Sequence, residues 1–503
     1  MMSENRYKLH WVAAVIEALK MMKEMIFPFL FLVVANGWRV PAGGKWYEYW
    51  SFILFGVIVL FFLISGIIKW KRFVYWFEES ELRIESGLFV KKKRYIPFDR
   101  IQSLDYTEGI FHRPFQLVKV RVETAGSSSL TKAEAELTAI TKEAANRIEK
   151  EMAQAKQRRQ VPPVPADGLL ELDDWTEESV ATAPVSKRIF TISTDELLLL
   201  ATTSGGIGVI LSGVAIFLSQ FSDLIPFDWM FEEFSAFIKF GFLIVAITLF
   251  LGLLLVWILS VFVTLLSHYG FTVALEGEDM VITRGLLEKK RITVPLKRVQ
   301  SVSVIENPLR QLFGYATVAI HSAGGAVEGS KITLFPLIKK KEIWEPLHEI
   351  FPELNFSEPA HQLPLRGRPF YYRIDFLWVL PVIGAITYFF FPYGLISLAL
   401  IPIIIVLGMW QHRSAAYDLF GHQLTMRFRG ISLQTAFVMK KRIQSMDMKQ
   451  SYFHRRKQVA TVVATAKSGM GTHQLHVHHM DQAEAERILS WYEKGTTAEQ
   501  AME

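Results

Sequence analysis

No cysteine occurs among the 503 residues. Disulfides, thiolate nucleophiles, iron–sulfur clusters and cysteine-held zinc are therefore excluded, whatever the compartment. No G-x-S-x-G or H-E-x-x-H pattern occurs either, so two common hydrolase signatures are missing. The glycines of "GGAVEGSK" (324–331) stand in the wrong order for a phosphate loop, which needs Gly-Lys-Ser/Thr entering a helix. That segment reads as a hairpin loop. No motif implies a cofactor. The long apolar runs lack charge in their interiors, and proton relays and ion pathways usually need ionisable groups there.

Apolar runs are abundant. Hydrophobic residues make up 51% of the chain and charged residues still reach 21%, as when membrane segments alternate with soluble domains. Residues 50–68 and 240–266 carry no charge and are long enough to cross a hydrocarbon core of roughly 30 Å. Residues 25–37, 198–219, 376–391 and 394–410 complete an expected set of six spans in three pairs. Lysines and arginines gather after the second span, at Lys69, Lys71, Arg72 and Lys91 to Arg94, whereas the loop "QFSDLIPFDWMFEEFSAF" has four acids and no base. This bias predicts a multi-pass cell-membrane protein with both termini and every large soluble segment cytoplasmic. The N-terminus lacks the pattern of a cleavable signal, and its "WVAAVIEALKMMKEM" is amphipathic enough to lie along the interface.

One tetrad recurs. Arg100, Arg298 and Arg442 each begin an Arg–(Ile/Val)–Gln–Ser sequence. Gly87 and Gly285 stand 13 residues before the first two arginines, and Gly430 stands 12 before the third. The repeating unit is two spans plus one soluble domain, used three times. Within it, Val118, Val120 and Val122 alternate with polar residues as in a half-buried strand. The glycines suit a hairpin turn. A closing helix follows in each copy, "KEAANRIEKEM", "KKKEIWEPLHEIF" or "DQAEAERILSWYEK". Leu104 and Tyr106, Val302 and Val304, Met446 and Met448 share one strand face, with Ile101, Val299 and Ile443 out of phase. A turn entering a strand follows, its apolar member tucked beneath and its Gln and Ser bonding the turn backbone. The arginine either covers an edge, as part of a fold signature, or contacts a shared ligand.

These features resemble the bacterial pleckstrin-homology-like membrane proteins, specifically the large YdbT-like members with three such domains. The resemblance rests on the paired spans, the triplication, and the "SGLF…IPFDRIQS" and "RGLLEKKRITVPLKRVQS" segments. It implies a membrane α plus soluble β fold, with each transmembrane pair followed by a bent, partly open PH-like β-barrel and a C-terminal helix. It implies no catalytic residues. The expected boundaries are an interfacial helix and first pair at 1–70, domain 1 at 71–156, a linker at 157–187, the second pair at 188–266, domain 2 at 267–352, a linker at 353–370, the third pair at 371–410 and domain 3 at 411–495. The third copy departs most: Met439 replaces the proline and its hairpin is one residue shorter.

Candidate contact residues are basic. Lys91, Lys92, Lys93 and Arg94, with Arg100, form the first group. Lys289, Lys290 and Arg291, with Arg298, form the second. Lys440, Lys441 and Arg442 form the third. Near anionic headgroups each contributes roughly 1 kcal/mol of attraction, so they either touch lipid or a partner, or form a solvated face. Charge divided among membrane-held sites argues against nucleic acid. Ser204, Gly208 and Ser212 make a small-residue stripe suited to helix packing. In "HQLHVHHM", His476 and His478 share a strand face; a polar face, a metal pair and a pH sensor all remain open. The expected function is a non-enzymatic scaffold or envelope-protection subunit whose partners are membrane lipids and a membrane protein or a second copy. The alternative is a transporter or exporter component with regulatory cytoplasmic domains.

Overall fold

The computed structural model describes residues 6–35, 50–78, 80–87, 90–124, 135–160, 186–204, 242–323, 331–389, 391–469 and 471–499. Three units follow one another. The first runs β1 (Tyr7–Lys8), α1 (Val12–Ala35), α2 (Trp50–Lys71), β2 (Val74–Glu78), β3 (Glu81–Ser86), β4 (Lys92–Pro97), β5 (Ile101–Glu108), β6 (Leu117–Thr124), β7 (Ala135–Thr141) and α3 (Lys142–Gln160). The second runs β8 (Ser186–Thr191), α4 (Thr194–Thr203), α5 (Phe242–His268), β9 (Thr272–Glu276), β10 (Asp279–Arg284), β11 (Lys289–Pro295), β12 (Val299–Glu306), β13 (Tyr315–Ser322), β14 (Lys331–Lys339) and α6 (Trp344–Ile350). The third runs β15 (His361–Gln362), α7 (Phe370–Phe389), α8 (Leu400–Ser414), β16 (Ala416–Phe420), β17 (Gln423–Arg429), β18 (Leu433–Met439), β19 (Ile443–Lys449), β20 (Val459–Ser468), β21 (Gly471–Asp481) and α9 (Gln482–Glu499).

Each unit contains a four-strand and a three-strand segment, and these do not close on each other as a barrel. The last strand of the four-strand segment pairs instead with the preceding unit. The sheets therefore read β1-β2-β3-β4, then β7-β6-β5-β11-β10-β9-β8, then β14-β13-β12-β18-β17-β16-β15, then β19-β20-β21. Two seven-stranded sheets thus stitch three units edge to edge. Each unit has its own core under its closing helix. Ile148 of α3 and Ile488 of α9 are fully buried in the first and third. In the second, Leu347 of α6 is fully buried, and Phe437 enters that core from β18 of unit 3.

A second feature escapes a linear reading. Every unit begins with a strand placed before its helices. β1 pairs β2, β8 pairs β9 and β15 pairs β16, all antiparallel. The helices are inserted between the first and second strands of a sheet, so the helical segment of each unit leaves from and returns to one sheet edge. Residues 353–370 belong to this scheme, since Leu354 and Phe356 are buried and His361 opens β15.

Four helices are long and apolar enough to cross a membrane: Ile53–Lys71, Phe250–His268, Leu365–Phe389 and Gly394–Ser414. Between 6% and 12% of each is buried by protein, and side chains such as Leu60, Leu255 and Leu377 stand bare. Apolar surface of that extent needs lipid. The expected count of six is met by four among the described residues. The amphipathic N-terminus and the first expected span are one continuous α1, carrying Pro28 inside it. It packs on α2, where Lys69 meets Glu17 at 3.1 Å and the Trp70 indole donates to Leu9 O at 2.9 Å. Most of the third expected span lies outside the described residues. Helix α7 starts before its apolar run and so takes in Arg373 and Asp375.

Candidate functional site

The tetrads form matching corners. A 3-10 turn at Phe98–Arg100, Leu296–Arg298 or Lys440–Arg442 precedes each strand. Its closing bond runs from the amide of Ile101, Val299 or Ile443 to the carbonyl of Phe98, Leu296 or Lys440. Pro97 and Pro295 preset the entry φ of the first two turns, and Met439 adopts the same extended backbone without that help. The apolar members Ile101, Val299 and Ile443 are buried. Register then slips between Ile101 and Ser103, between Val299 and Ser301, and between Ile443 and Ser445. The glutamine is thus the extra residue of a β-bulge in all three copies, and a bulge re-aims the strand. The Gln300 amide donates to Arg298 O at 2.9 Å, bracing the turn. The serines differ: the Ser103 hydroxyl donates to Glu123 at 3.1 Å, whereas Ser301 Oγ is buried without a hydrogen-bond partner.

The corners lie at the joints between units. Joint 1/2 pairs β5 with β11: Glu108 opposes Lys289, Thr107 opposes Lys290 and Tyr106 opposes Arg291. It is polar. Arg291 meets Glu276 at 2.7 Å and Glu149 of α3 at 3.7 Å, and its guanidinium lies 5.7 Å from the Tyr106 ring. The Thr293 amide donates to Asp105 at 3.2 Å. Burial pulls Arg298 below the usual guanidinium range, while attraction to Glu123 of unit 1 opposes this.

Joint 2/3 pairs β12 with β18 over six opposed residues, from Ser301–Val438 to Glu306–Leu433. Its centre is apolar, with Val302, Val304, Ala436 and Phe437 buried. Phe437 packs 5.1 Å from the Phe356 ring. His321 stacks on His473 with centroids 3.6 Å apart. The Gly469 amide donates to Ser322 O at 2.9 Å, and Arg442 donates to Lys297 O at 2.7 Å. A cleft of about 510 Å³ opens here, with Val299, Val302, Leu354, Phe437 and Met439 along its walls. Its basic rim is engaged, with Lys297 on Glu278 at 2.7 Å and Lys441 on Glu353 at 2.8 Å.

The candidate cations thus divide. Lys91 and Lys93 share Glu85 of β3, at 2.7 and 3.3 Å, and hold its carboxyl below the usual range, the Lys91 hydrogen bond being the largest cause. Lys92, Arg94 and Arg100 are exposed. Lys289, Lys290 and Arg291 lie on the paired strand of joint 1/2, where Arg291 meets acidic partners and the Lys289 side chain is exposed. Lys440 donates to Trp491 O at 2.5 Å. Sequence reasoning left these clusters between lipid or partner contact and a solvated face, and missed that two of the three lie at joints. The signal was present in their spacing from each tetrad, but pairing partners 188 residues apart, such as Asp105 and Thr293, leave no local pattern.

Ser204 Oγ lies 3.2 Å from Thr264 of α5, a helix-packing contact; Gly208 and Ser212 are outside the described residues. His476 and His478 do share a face, 4.4 Å between centroids, with Leu475 and Val477 buried opposite. Burial lowers both, His478 to about 4. Among the described residues no group of three or more His, Asp or Glu is placed to hold a metal. His479, next in sequence, adopts φ 56° and stacks on Phe370 at the foot of α7.

The model of the bacterial PH domain matches residues 26–156, 233–349 and 376–496, once per unit. The chain belongs to the bacterial PH domain family. It is 35% identical over 500 residues to the UPF0699 transmembrane protein YdbT of Bacillus subtilis (strain 168), covering 98% of this chain and 99% of that protein. The UPF0699 transmembrane protein YdbS of the same organism is 26% identical over 91 residues, covering 16% of this chain and 57% of that protein. No solved structure matches. The three bacterial PH domains are therefore the repeated units, each with helices set between the first two strands of its sheet.

Proposed function

We propose that this chain is a non-enzymatic scaffold of the cell membrane, in which six spans in three pairs hold three PH-like units as one cytoplasmic platform. The observation that carries the reading is the stitching of the units by β5–β11 and β12–β18 pairing. Units joined through shared sheets cannot rotate freely, so the platform presents fixed surfaces to lipid or to partner proteins. Exposed Lys92, Arg94 and Arg100 of unit 1 supply basic charge for an anionic leaflet, where each contributes about 1 kcal/mol. Paired helices that begin and end at one sheet edge keep all three units, and both termini, on one side. The charge-free runs 50–68 and 240–266 favour this over transport.

The cysteine-free chain makes the test direct. Lys92→Cys, Lys297→Cys and Lys467→Cys are introduced singly in the full-length protein and labelled with a membrane-impermeant maleimide. All three should react only when the cytoplasmic face is opened. Labelling of any one from the outside would sink the platform. On anionic vesicles, reconstituted protein with Lys92→Gln and Arg94→Gln should recruit fewer acidic lipids; an unchanged lipid shell would remove the headgroup contact.

A further inference from the structure

The two joints obey one rule. In each, the residue six after a tetrad arginine opposes the residue seven before the next tetrad arginine: Tyr106 with Arg291, and Val304 with Thr435. The rule consumes one strand of each kind at every joint. Three units in a row must leave one of each unused. Those are β4 at the start and β19 at the end, and both terminate their sheets.

Their surfaces bear this out. Strand β12, paired on both sides, is buried at every position but Ile305, whereas β19 exposes Gln444, Ser445, Asp447 and Lys449. Strand β4 exposes Lys92 through Tyr95. Open edges are templates for pairing, and lysines often blunt them. Here lysines are no bar, because Lys289 and Lys290 of β11 sit within a formed joint.

We propose that β19 of one molecule pairs antiparallel with β4 of a second copy, in the register of the internal joints, so that the chain associates head to tail. Met448 then opposes Lys93, Asp447 opposes Arg94 and Lys449 opposes Lys92. The first charged pair attracts and the second repels, which leaves a joint weaker than the internal two. Confinement to one membrane face offsets this by raising the effective concentration of the two edges. The contact is heterologous: one molecule's tail meets another's head, so it propagates as a row or closes as a ring. The inference rests on the platform reading, since both edges must face the same compartment.

The test uses full-length chains in membranes, one carrying Lys93→Cys and the other Met448→Cys under a different tag. Directly opposed strand residues lie within disulfide reach. Mild oxidation should give a covalent dimer holding both tags. Neither chain alone should give it, and Lys93→Cys with Ser445→Cys, three residues out of register, should give at least tenfold less. Adding Lys449→Glu should raise the yield severalfold, and adding Asp447→Lys should lower it. A mixed dimer no more abundant than the out-of-register control would overturn the proposal. So would Lys93→Cys cross-linking chiefly to itself or to another protein. The maleimide labelling tests the platform separately, so intact one-sided labelling without mixed dimers would reject the contact alone.

Discussion

Joints 1/2 and 2/3 use equivalent strands in one register, yet they are held by different forces. Joint 1/2 has three opposed pairs and a cluster of charge around Arg291. Joint 2/3 has six opposed pairs and buries Phe437 in the neighbouring core. Backbone pairing fixes where units meet, and side chains decide how firmly. A single aromatic side chain in an interior outweighs several exposed ion pairs, which contribute about 0–1 kcal/mol each. Joint 2/3 should therefore be the stiff half of the platform and joint 1/2 the compliant half.

The sharpest way to break this contrast is Phe437→Ala. The side chain is fully buried, and such truncations cost about 3–5 kcal/mol through lost transfer energy and the cavity left behind. Joint 2/3 should open first, seen as new proteolytic cuts in residues 353–370 and a lower thermal midpoint. If the protease pattern stays unchanged, joint 2/3 is not held by that ring.

Next in size is the hairpin glycine that delivers β11 to joint 1/2. Gly285 has φ 102°, and a Cβ there would lie 2.1 Å from Glu288 O. Gly285→Ala should cost on the order of 1–3 kcal/mol in local strain and raise hydrogen exchange in β11 and β5. Gly430, the counterpart ahead of β18, has open space around it and no positive φ. Gly430→Ala should leave joint 2/3 intact. Equal effects at both sites would show that the shortened third hairpin is equivalent after all.

Acid should separate the joints too. Burial, then the neighbouring His473 and Lys331, lowers His321 to about 3 from its ordinary 6.5; burial, then Lys331 and His476, lowers His473 to about 4. Both are neutral when folded, while the unfolded chain binds protons below about pH 6.5. Their contribution to stability is therefore complete above 6.5 and is lost as pH falls towards 4 and 3. For His321 the loss by pH 5 is on the order of 2 kcal/mol. Hydrogen exchange at pH 7 and pH 5, corrected for intrinsic rate, should show β12–β13 and β20–β21 loosening while β5–β11 holds. His321→Gln should flatten the response; an undiminished response would place the proton elsewhere.

How much of this was legible follows from the range of each signal. The hairpin glycines, the corner at each tetrad, the closing helices and the alternating Val118, Val120 and Val122 are local, and the structure has each where periodicity placed it. The strands ahead of the helix pairs were not legible. Tyr7–Lys8 and His361–Gln362 are two residues long, too short for any period to register. The joints were illegible for another reason: Lys289 to Arg291 read as a surface cluster because nothing nearby in sequence reveals that Glu108 and Glu149 face them. The register rule became visible only once three copies of one unit were seen side by side.

The smallest expected effect probes the compliant joint directly. Arg291→Glu replaces the cation between Glu276 and Glu149 with a third acid. It also removes the guanidinium from the Tyr106 ring. Like charges across paired strands are unfavourable by about 0.2–1 kcal/mol per pair, and Arg291 is partly exposed, so solvent screens the change. The loss should be about 1 kcal/mol at low salt and should shrink in 0.5 M salt, with Glu149→Lys restoring most of it. Thr435→Glu, at the equivalent position of joint 2/3, meets Val304 across the joint and Arg427 of β17 within its own unit, so its charge is attracted and salt should weaken it rather than relieve it. A salt response of the same sign and size at both positions would mean that the two joints do not differ in kind, and that the length of pairing alone sets their strength.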